Sequence, residues 1–166
     1  MQVRGRVGFA CEYCGISETD AGGELTIDHF QPQSFNGSDD VENLVYACFR
    51  CNLYKADYWA ETESSSQIFN PRRHSSTDYF SVAPDGIIYA LSEIAEFTMS
   101  RLKLNRPPLV AHRHKINQQI SDREFFERTQ ETNKLFAKTN EELQRVVEEQ
   151  RKMLEEQQRL LKTILR

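Results

Sequence analysis

The sequence predicts an α+β fold: a small cysteine-clamped segment of two strands and a helix, an added β-hairpin and helix, and one long C-terminal helix. All four cysteines stand in two CxxC pairs, at 11–14 and 48–51. Two short stretches rich in strand-forming residues, "ELTID" and "LVYA", lie between these pairs. No glycine or proline follows Pro108, which permits a single helix to the C-terminus.

The composition is typical of one soluble domain with a polar extension. The 166 residues are 39% hydrophobic and 28% charged, and the mean hydropathy is -0.65, so the chain can bury one core. No apolar stretch approaches bilayer-spanning length, and the N-terminal "MQVRGRVGFACEYC" lacks the apolar region of a signal peptide. We therefore expect a cytoplasmic protein.

The four cysteines predict a structural zinc site. In a reducing compartment, paired CxxC motifs bind metal more often than they form disulfides. Each CxxC forms a tight knuckle that aims two sulfurs at one ion, so Cys11, Cys14, Cys48 and Cys51 match a tetrahedral Cys₄ site. Such a site has no open coordination position, and its role is to clamp a segment too small to make a good core. A redox pair is the alternative, but it would need only one CxxC.

The remaining elements follow in order along the chain. "CNLYKADYWA" predicts a helix after the second strand, and "DYFSV", "PDG" and "IIYAL" predict a β-hairpin. Ser92 is placed to cap a helix in "SEIAEFTMSRLKLN", which Pro107 and Pro108 end. Because proline is well tolerated in a first turn, the same prolines open the last helix. We predict a domain at 1–112, with its core motif at 11–60 and a follow-on segment at 67–106, and a helical tail at 113–166.

The tail repeats its apolar residues every seven positions. One register holds Val146, Met153 and Leu160, and the next holds Val147, Leu154 and Leu161. This heptad predicts a coiled coil through residues 117–166, formed with a second copy or with a helical protein partner. The alternative is one amphipathic helix packed on the domain. However, a rise of ~1.5 Å per residue gives ~40 Å of helix past Leu135, which outruns a small domain.

Four residues between and beside the cysteines are candidates for chemistry. Asp28 and His29 are adjacent at the end of the first predicted strand, so their side chains point to opposite faces. One can bind a metal while the other faces a substrate. Asn43 stands at the head of the second strand, and Asn52 directly follows the last cysteine. A lone Asp-His pair is weakly informative, since His29 alone is most simply an ordinary surface or core histidine; the four residues together indicate a site.

These residues resemble a known family. "CEYC", "L-x-IDHF-x-P-x-S", "G-x-DD-x-x-NLV" and "C-x-x-CN-x-x-K" are similar to the HNH endonuclease motif of the four-cysteine subgroup, and cover residues 11–55. The resemblance implies a zinc-clamped ββα-metal fold. Residues 68–113 also resemble the follow-on segment of small bacterial HNH proteins, although "STDYF" stands where that segment has a tryptophan and a histidine.

The resemblance implies a role for each candidate residue. His29 is the general base that activates water, Asn43 orients it, and Asp28 and Asn52 hold a divalent ion. The family often has histidine where this chain has Asn52, and an oxygen set favours Mg²⁺ or Mn²⁺. The implied activity is hydrolysis of DNA phosphodiester bonds, in a mobile element or in anti-phage defence. An RNA-cleaving nuclease with the same site, or a catalytically silent zinc-bound coiled-coil adaptor, are the alternatives.

Nucleic acid requires positive charge, and residues 1–112 carry 9 Lys+Arg against 15 Asp+Glu. Residues 98–121 contain five basic side chains and no acid. We expect nucleic-acid contacts at Lys55, Arg101, Lys103, Arg106, Arg113 and Lys115. The alternatives are that Lys55 is a solvated helix lysine and that the others pair with acids of the core.

Overall fold

The protein has an α+β fold, seen in a computed structural model that describes residues 2–62 and 66–164. The helices are α1 (Gln2–Arg6), α2 (Glu18–Ala21), α3 (Phe49–Lys55), α4 (Ser76–Tyr79), α5 (Glu93–Arg101) and α6 (Pro107–Ile164), and the strands are β1 (Thr26–His29), β2 (Leu44–Ala47), β3 (Phe80–Val82) and β4 (Ile88–Ala90). Internal contacts divide the chain into two units, Met1–Gln118 and Gln119–Arg166. All the strands in the described residues lie in the first unit.

The strand-strand-helix order predicted between the cysteine pairs is confirmed. β1 and β2 are antiparallel, with Asp28 opposite Val45 and His29 opposite Leu44. β2 is an apolar strand whose Val45 is fully buried. Cys48 then caps α3, since its sulfur accepts a hydrogen bond from the Cys51 amide at 3.5 Å. The second cysteine pair is thereby fixed at the point where the strand becomes a helix.

α3 is shorter than the sequence predicted. The helix ends at Lys55, because Ala56 adopts a φ of 49° and takes the chain out of the helical region. Beyond this point Trp59 meets Phe30 edge-on, with ring centroids 5.9 Å apart. The predicted helix through Ala60 is therefore wrong over its last five residues, where the chain turns back to bring an aromatic ring against the residue after His29.

The predicted β-hairpin is confirmed, and it leads into α5. Phe80 pairs with Ala90 across β3 and β4, and Gly86 in the connecting turn has a φ of 86°. A Cβ at Gly86 would lie 2.3 Å from the Val110 carbonyl oxygen, so only glycine lets this turn approach the first part of α6. Ser92 caps α5, because its hydroxyl accepts a hydrogen bond from the Ala95 amide at 3.2 Å.

The core of the first unit surrounds the cysteines. Buried apolar side chains come from β2, β4, the segment before α4, and the junction of α5 with α6; they include Val45, Ile68, Ile88, Leu102, Leu104 and Leu109, together with all four cysteines. The two short N-terminal helices were not expected from the sequence. α1 contributes Val3 to the interior.

The second unit consists of the continuation of α6. Residues 119–162 are exposed at every position, and the heptad residues from Val146 to Leu161 are among them. The coiled coil remains a prediction. Among the described residues, no helix has the length and apolar character to cross a bilayer.

Candidate functional site

The four cysteines form a cluster with the spacing of a tetrahedral metal site. All are buried and unpaired by disulfides, and their sulfurs lie within 4.8 Å of one another. The sulfurs of Cys14 and Cys48 are 3.7 Å apart. A tetrahedral zinc ion with Zn–S bonds of ~2.3 Å requires a sulfur–sulfur edge of ~3.8 Å. The cluster therefore fits one zinc ion, with every coordination position filled by protein.

Arg106 supplies positive charge beside this cluster. Its guanidinium lies 3.7 Å from the Cys48 sulfur and 3.8 Å from that of Cys51. Four thiolates around one divalent ion leave a net charge of about −2, which a neighbouring cation offsets. Desolvation lowers the pKa of Arg106, but the nearby sulfurs outweigh it and leave that pKa above its ordinary value. Arg106 therefore stabilises the cysteine cluster, a position that the sequence had assigned to nucleic-acid contact.

Asp28 is held by a buried lysine. The Lys55 side chain is 1% exposed, and its ammonium lies 3.0 Å from Asp28 Oδ2. The ammonium also donates a hydrogen bond to the His29 carbonyl at 2.7 Å. Burial raises the pKa of Asp28 and lowers the pKa of Lys55, and in each case the attraction between them only partly opposes the effect of burial. Ionisable groups perturbed in this way concentrate at functional sites, although structural ion pairs also show it.

The position of Lys55 corrects one expectation. The sequence assigned this lysine to nucleic acid, on the outside of α3. It instead points inward and joins the end of α3 to the end of β1, because its four-carbon stem reaches the interior while its ammonium finds a carboxylate and a carbonyl. We therefore treat Lys55 as a residue that positions Asp28 and His29.

His29 is paired with a carboxylate that the sequence did not identify. Its Nε2 lies 2.7 Å from Asp39 Oδ1, and the His29 side chain is 26% exposed. The hydrogen bonds from His29 and then Gln33 lower the pKa of Asp39. When Nε2 carries the proton and donates a hydrogen bond to Asp39, Nδ1 is left as an acceptor. The "DD" of the G-x-DD element was the signal in the sequence that could have indicated this partner.

Asn43 acts on the backbone around His29. Its side-chain oxygen accepts a hydrogen bond from the Gln31 amide at 2.9 Å, and its side-chain nitrogen donates to the carbonyls of Gln31 and Ser38 at 3.0 and 2.8 Å. Its own carbonyl accepts from the Phe30 amide at 2.7 Å. Asn43 thus ties the chain directly after His29 to the loop that carries Asp39. Its contacts reach His29 only through the backbone of these two segments.

Asn52 lies on the same side of β1 as Asp28. Its amide nitrogen donates to the Thr26 hydroxyl at 3.4 Å, and Thr26 and Asp28 share a face because they are two residues apart in a strand. The amide oxygen of Asn52 makes no hydrogen bond to the described residues. An unused amide oxygen and a carboxylate on one face form a hard donor set, which fits a Mg²⁺ or Mn²⁺ ion.

The other predicted nucleic-acid contacts divide into two groups. Arg101 donates to the Lys55 carbonyl at 3.1 Å and stacks on Tyr58, and Arg113 donates to the Gly86 and Leu104 carbonyls at 2.6 and 2.9 Å. Both arginines therefore bind backbone oxygens. The sequence had predicted contacts with nucleic acid or, as the alternative, with acids of the core. The lysines Lys103 and Lys115 are exposed, and Lys103 lies over the Tyr54 ring. These two keep the positive charge available to a ligand.

Comparison with known proteins identifies the central segment. Residues 11–57 match the family model described as HNH endonuclease. The match spans both cysteine pairs and the four candidate residues between and beside them. No curated protein and no solved structure matches the chain. The predicted resemblance to HNH endonucleases is thus confirmed for residues 11–57, while the hairpin, α5 and α6 lie outside the matched segment.

Proposed function

We propose that the protein is a metal-dependent HNH endonuclease that hydrolyses phosphodiester bonds of DNA. The observation that carries the proposal is the pairing of unlike groups at the end of β1. Asp28 lies on the face that also carries Asn52, while the neighbouring His29 is held by Asp39. A metal-binding carboxylate beside a positioned histidine is the arrangement that metal-assisted hydrolysis requires.

His29 acts as the general base. With Nε2–H donating to Asp39, the free Nδ1 accepts a proton from the attacking water. Lys55 holds the histidine backbone from inside the domain and Asn43 holds the residue that follows, so the ring is fixed before substrate arrives. A positioned base contributes about 10²- to 10⁴-fold to a rate.

Asp28 and Asn52 hold the divalent ion. Such an ion, when bound, stabilises the charge that develops on the phosphate and on the leaving 3′ oxygen. The cysteine-bound zinc has no open position and does not take part in the reaction. Lys55 balances the Asp28 carboxylate from its buried side, which leaves the outer side of that carboxylate for the ion.

The tail and the exposed lysines contribute to the affinity of the protein for DNA. Lys103 and Lys115 contact the phosphate backbone, which is a salt-dependent interaction without sequence preference. The heptad of residues 117–166 joins two copies or recruits a helical partner. Two copies on one duplex would convert single-strand nicks into double-strand breaks, an activity suited to a mobile element or to anti-phage defence.

The test is plasmid cutting with Mg²⁺ or Mn²⁺ and an EDTA control. We compare the wild type with His29→Ala and with His114→Ala, a matched change at an exposed histidine of α6. We expect the wild type and His114→Ala to cut at equal rates and His29→Ala to be at least ~100-fold slower. Zinc content and circular dichroism must be unchanged in both variants.

Two results would contradict the proposal. Equal cutting by His29→Ala would remove this residue as the base. No metal-dependent cutting of DNA or RNA by the wild type would favour the adaptor, in which the zinc-bound domain and the heptad serve only to bind a partner. Cutting of RNA alone would keep the mechanism and change the substrate.

A further inference from the structure

Two cavities are both lined by Phe30 and Trp59, whose rings contact each other. The smaller, of about 240 Å³, is lined by these two rings together with Lys55 and Arg73. The larger, of about 430 Å³, shares Phe30, Trp59 and Arg73 and extends to Asn43. Its size falls within the range of small-molecule sites, ~300–1,000 Å³.

Both cavities adjoin the residues of the proposed catalytic centre. Phe30 directly follows His29, and Lys55 contacts both Asp28 and the His29 carbonyl. Asn43 binds the Phe30 amide from the side of the larger cavity. A group bound here would therefore contact residues that adjoin His29 in the chain or bind its backbone, while His29 and Asp28 themselves do not line the cavities.

Arg73 is the unused cation of these cavities. It is exposed, and its side chain makes no hydrogen bond or ion pair with the described residues. By contrast, the adjacent Arg72 pairs with the buried Glu12. The backbone of Arg73 is nevertheless held in a turn, since its amide donates to the Asn70 carbonyl at 3.1 Å. A fixed backbone with a free guanidinium is suited to binding an anion that arrives from outside.

The aromatic rings provide the second half of a nucleotide site. Trp59 and Phe30 are both partly exposed, and Trp59 presents its ring to both cavities. Aromatic side chains beside an arginine bind unstacked nucleotides, the rings through the base and the guanidinium through the phosphate. Base–aromatic stacking tolerates any sequence, because every base has a π-face.

We propose that this pocket binds one unstacked nucleotide of the substrate strand, with its base against Trp59 and its phosphate on Arg73. The proposal rests on the proposed function, since the pocket matters for cutting only if His29 acts beside it. It adds a substrate class: strands that are single-stranded or locally opened next to the scissile bond bind better than a fully stacked duplex.

Trp59 makes the test direct, because it is the one tryptophan of the chain. Its fluorescence reports on this pocket alone. The probe is an oligothymidylate of about eight nucleotides, within the ~4–16 that single-strand sites cover, added without divalent cation so that no cutting occurs. We expect quenching of Trp59 emission, and a loss of affinity of at least ~10-fold in Arg73→Gln.

Arg50→Gln is the matched control. Arg50 is an exposed arginine of α3 that lines a separate cavity, which shares no residue with the two described above. We expect the Arg50→Gln variant to bind the oligothymidylate with the affinity of the wild type. A Trp59→Leu variant, followed by the anisotropy of a labelled probe, should lose affinity by ~10-fold or more. An oligouridylate in parallel shows whether the pocket prefers a deoxyribose or a ribose strand.

The proposal that this pocket binds a nucleotide would be contradicted by absence of quenching. It would also be contradicted by equal affinity of the wild type, Arg73→Gln and Trp59→Leu for the probe. Plasmid cutting separates this failure from failure of the catalytic proposal. Cutting without quenching would rule out the pocket and leave the nuclease, whereas Arg73-dependent quenching without metal-dependent cutting of either DNA or RNA would support the pocket and rule out the nuclease.

Discussion

The cysteine cluster and the Asp28–His29 cluster lie on the same ββα segment and are built in opposite ways. The first consists of four identical groups, all buried, whose sulfurs are mutual neighbours. The second consists of unlike groups: Lys55 holds the Asp28 carboxylate and the His29 carbonyl, and Asp39 holds the His29 ring. The Asp28 side chain is 15% exposed and that of His29 is 26% exposed. A closed set of equal ligands stabilises the fold, while an open set of unequal groups leaves room for water and substrate.

The largest expected effect follows removal of zinc. Structural zinc contributes ~10–16 kcal/mol of apparent binding free energy, which small metal domains use for folding. We expect Cys51→Ser to lose zinc and the near-ultraviolet circular dichroism of the first unit, because Cys51 lies at the centre of the core. The control is Ser81→Ala, at an exposed position of β3. Retention of zinc and of the tertiary signal by Cys51→Ser would contradict the closed-site assignment.

Loss of the buried lysine should have the next largest effect. Lys55→Met leaves the Asp28 carboxylate partly buried without its cation, and breaking a buried pair from one side costs ~3–5 kcal/mol. Urea unfolding measures this change. The double variant Lys55→Met with Asp28→Asn removes the unpaired charge and should recover part of the lost free energy of unfolding. Equal stability of Lys55→Met and the wild type would show that the pair is unimportant for folding.

The sequence was most informative where the relevant contacts are local. The zinc knuckles, the strand that carries Asp28, the strand that directly follows Asn43, and the cap at Ser92 all depend on residues within a few positions of one another. Their spacing is therefore sufficient to predict them. The resemblance to HNH endonucleases predicted that Asp28 and His29 form one site with Asn52. Local sequence patterns alone do not predict this grouping.

Long side chains and loops account for what the sequence did not predict. Lys55 could extend outward or inward from α3, and only the packed interior decides between these directions. Arg101 and Arg113 bind carbonyl oxygens that folding brings to them from distant segments. Asp39 stands ten residues from His29 in a loop, so their hydrogen bond depends on the path of that loop.

Substitution of Asp39, the hydrogen-bond partner of His29, tests the Asp28–His29 cluster without disturbing the cysteine cluster. Asp39→Asn weakens the hold on the His29 ring, and we expect cutting to slow by about 10- to 100-fold, the cost of a small misplacement of a catalytic group. The unfolding midpoint should be unchanged, since Asp39 is an exposed loop residue. Asp40→Asn in the same loop is the matched control. Equal rates for the two variants would remove Asp39 from the catalytic centre.

The smallest effect is expected from the tail. A chain that ends after Gln118 keeps the whole buried core, so its free energy of unfolding should change by less than ~1 kcal/mol. Zinc content should also be unchanged. Sedimentation should show loss of self-association or of partner binding, as the heptad lies beyond this point. A large loss of stability would show that residues 119–166 support the domain itself.

The position of Lys55, four residues after the last cysteine, has a consequence for biosynthesis. Asp28 and His29 leave the ribosome early, but Lys55, which holds both of them, and Asn52 of the proposed ion site are made only after Cys51. Cys48 and Cys51 lie at the start of α3, so we expect zinc binding to fix this helix. We therefore expect newly made chains to complete the proposed site only after they acquire zinc, so that cellular zinc supply limits how much of the folded protein accumulates.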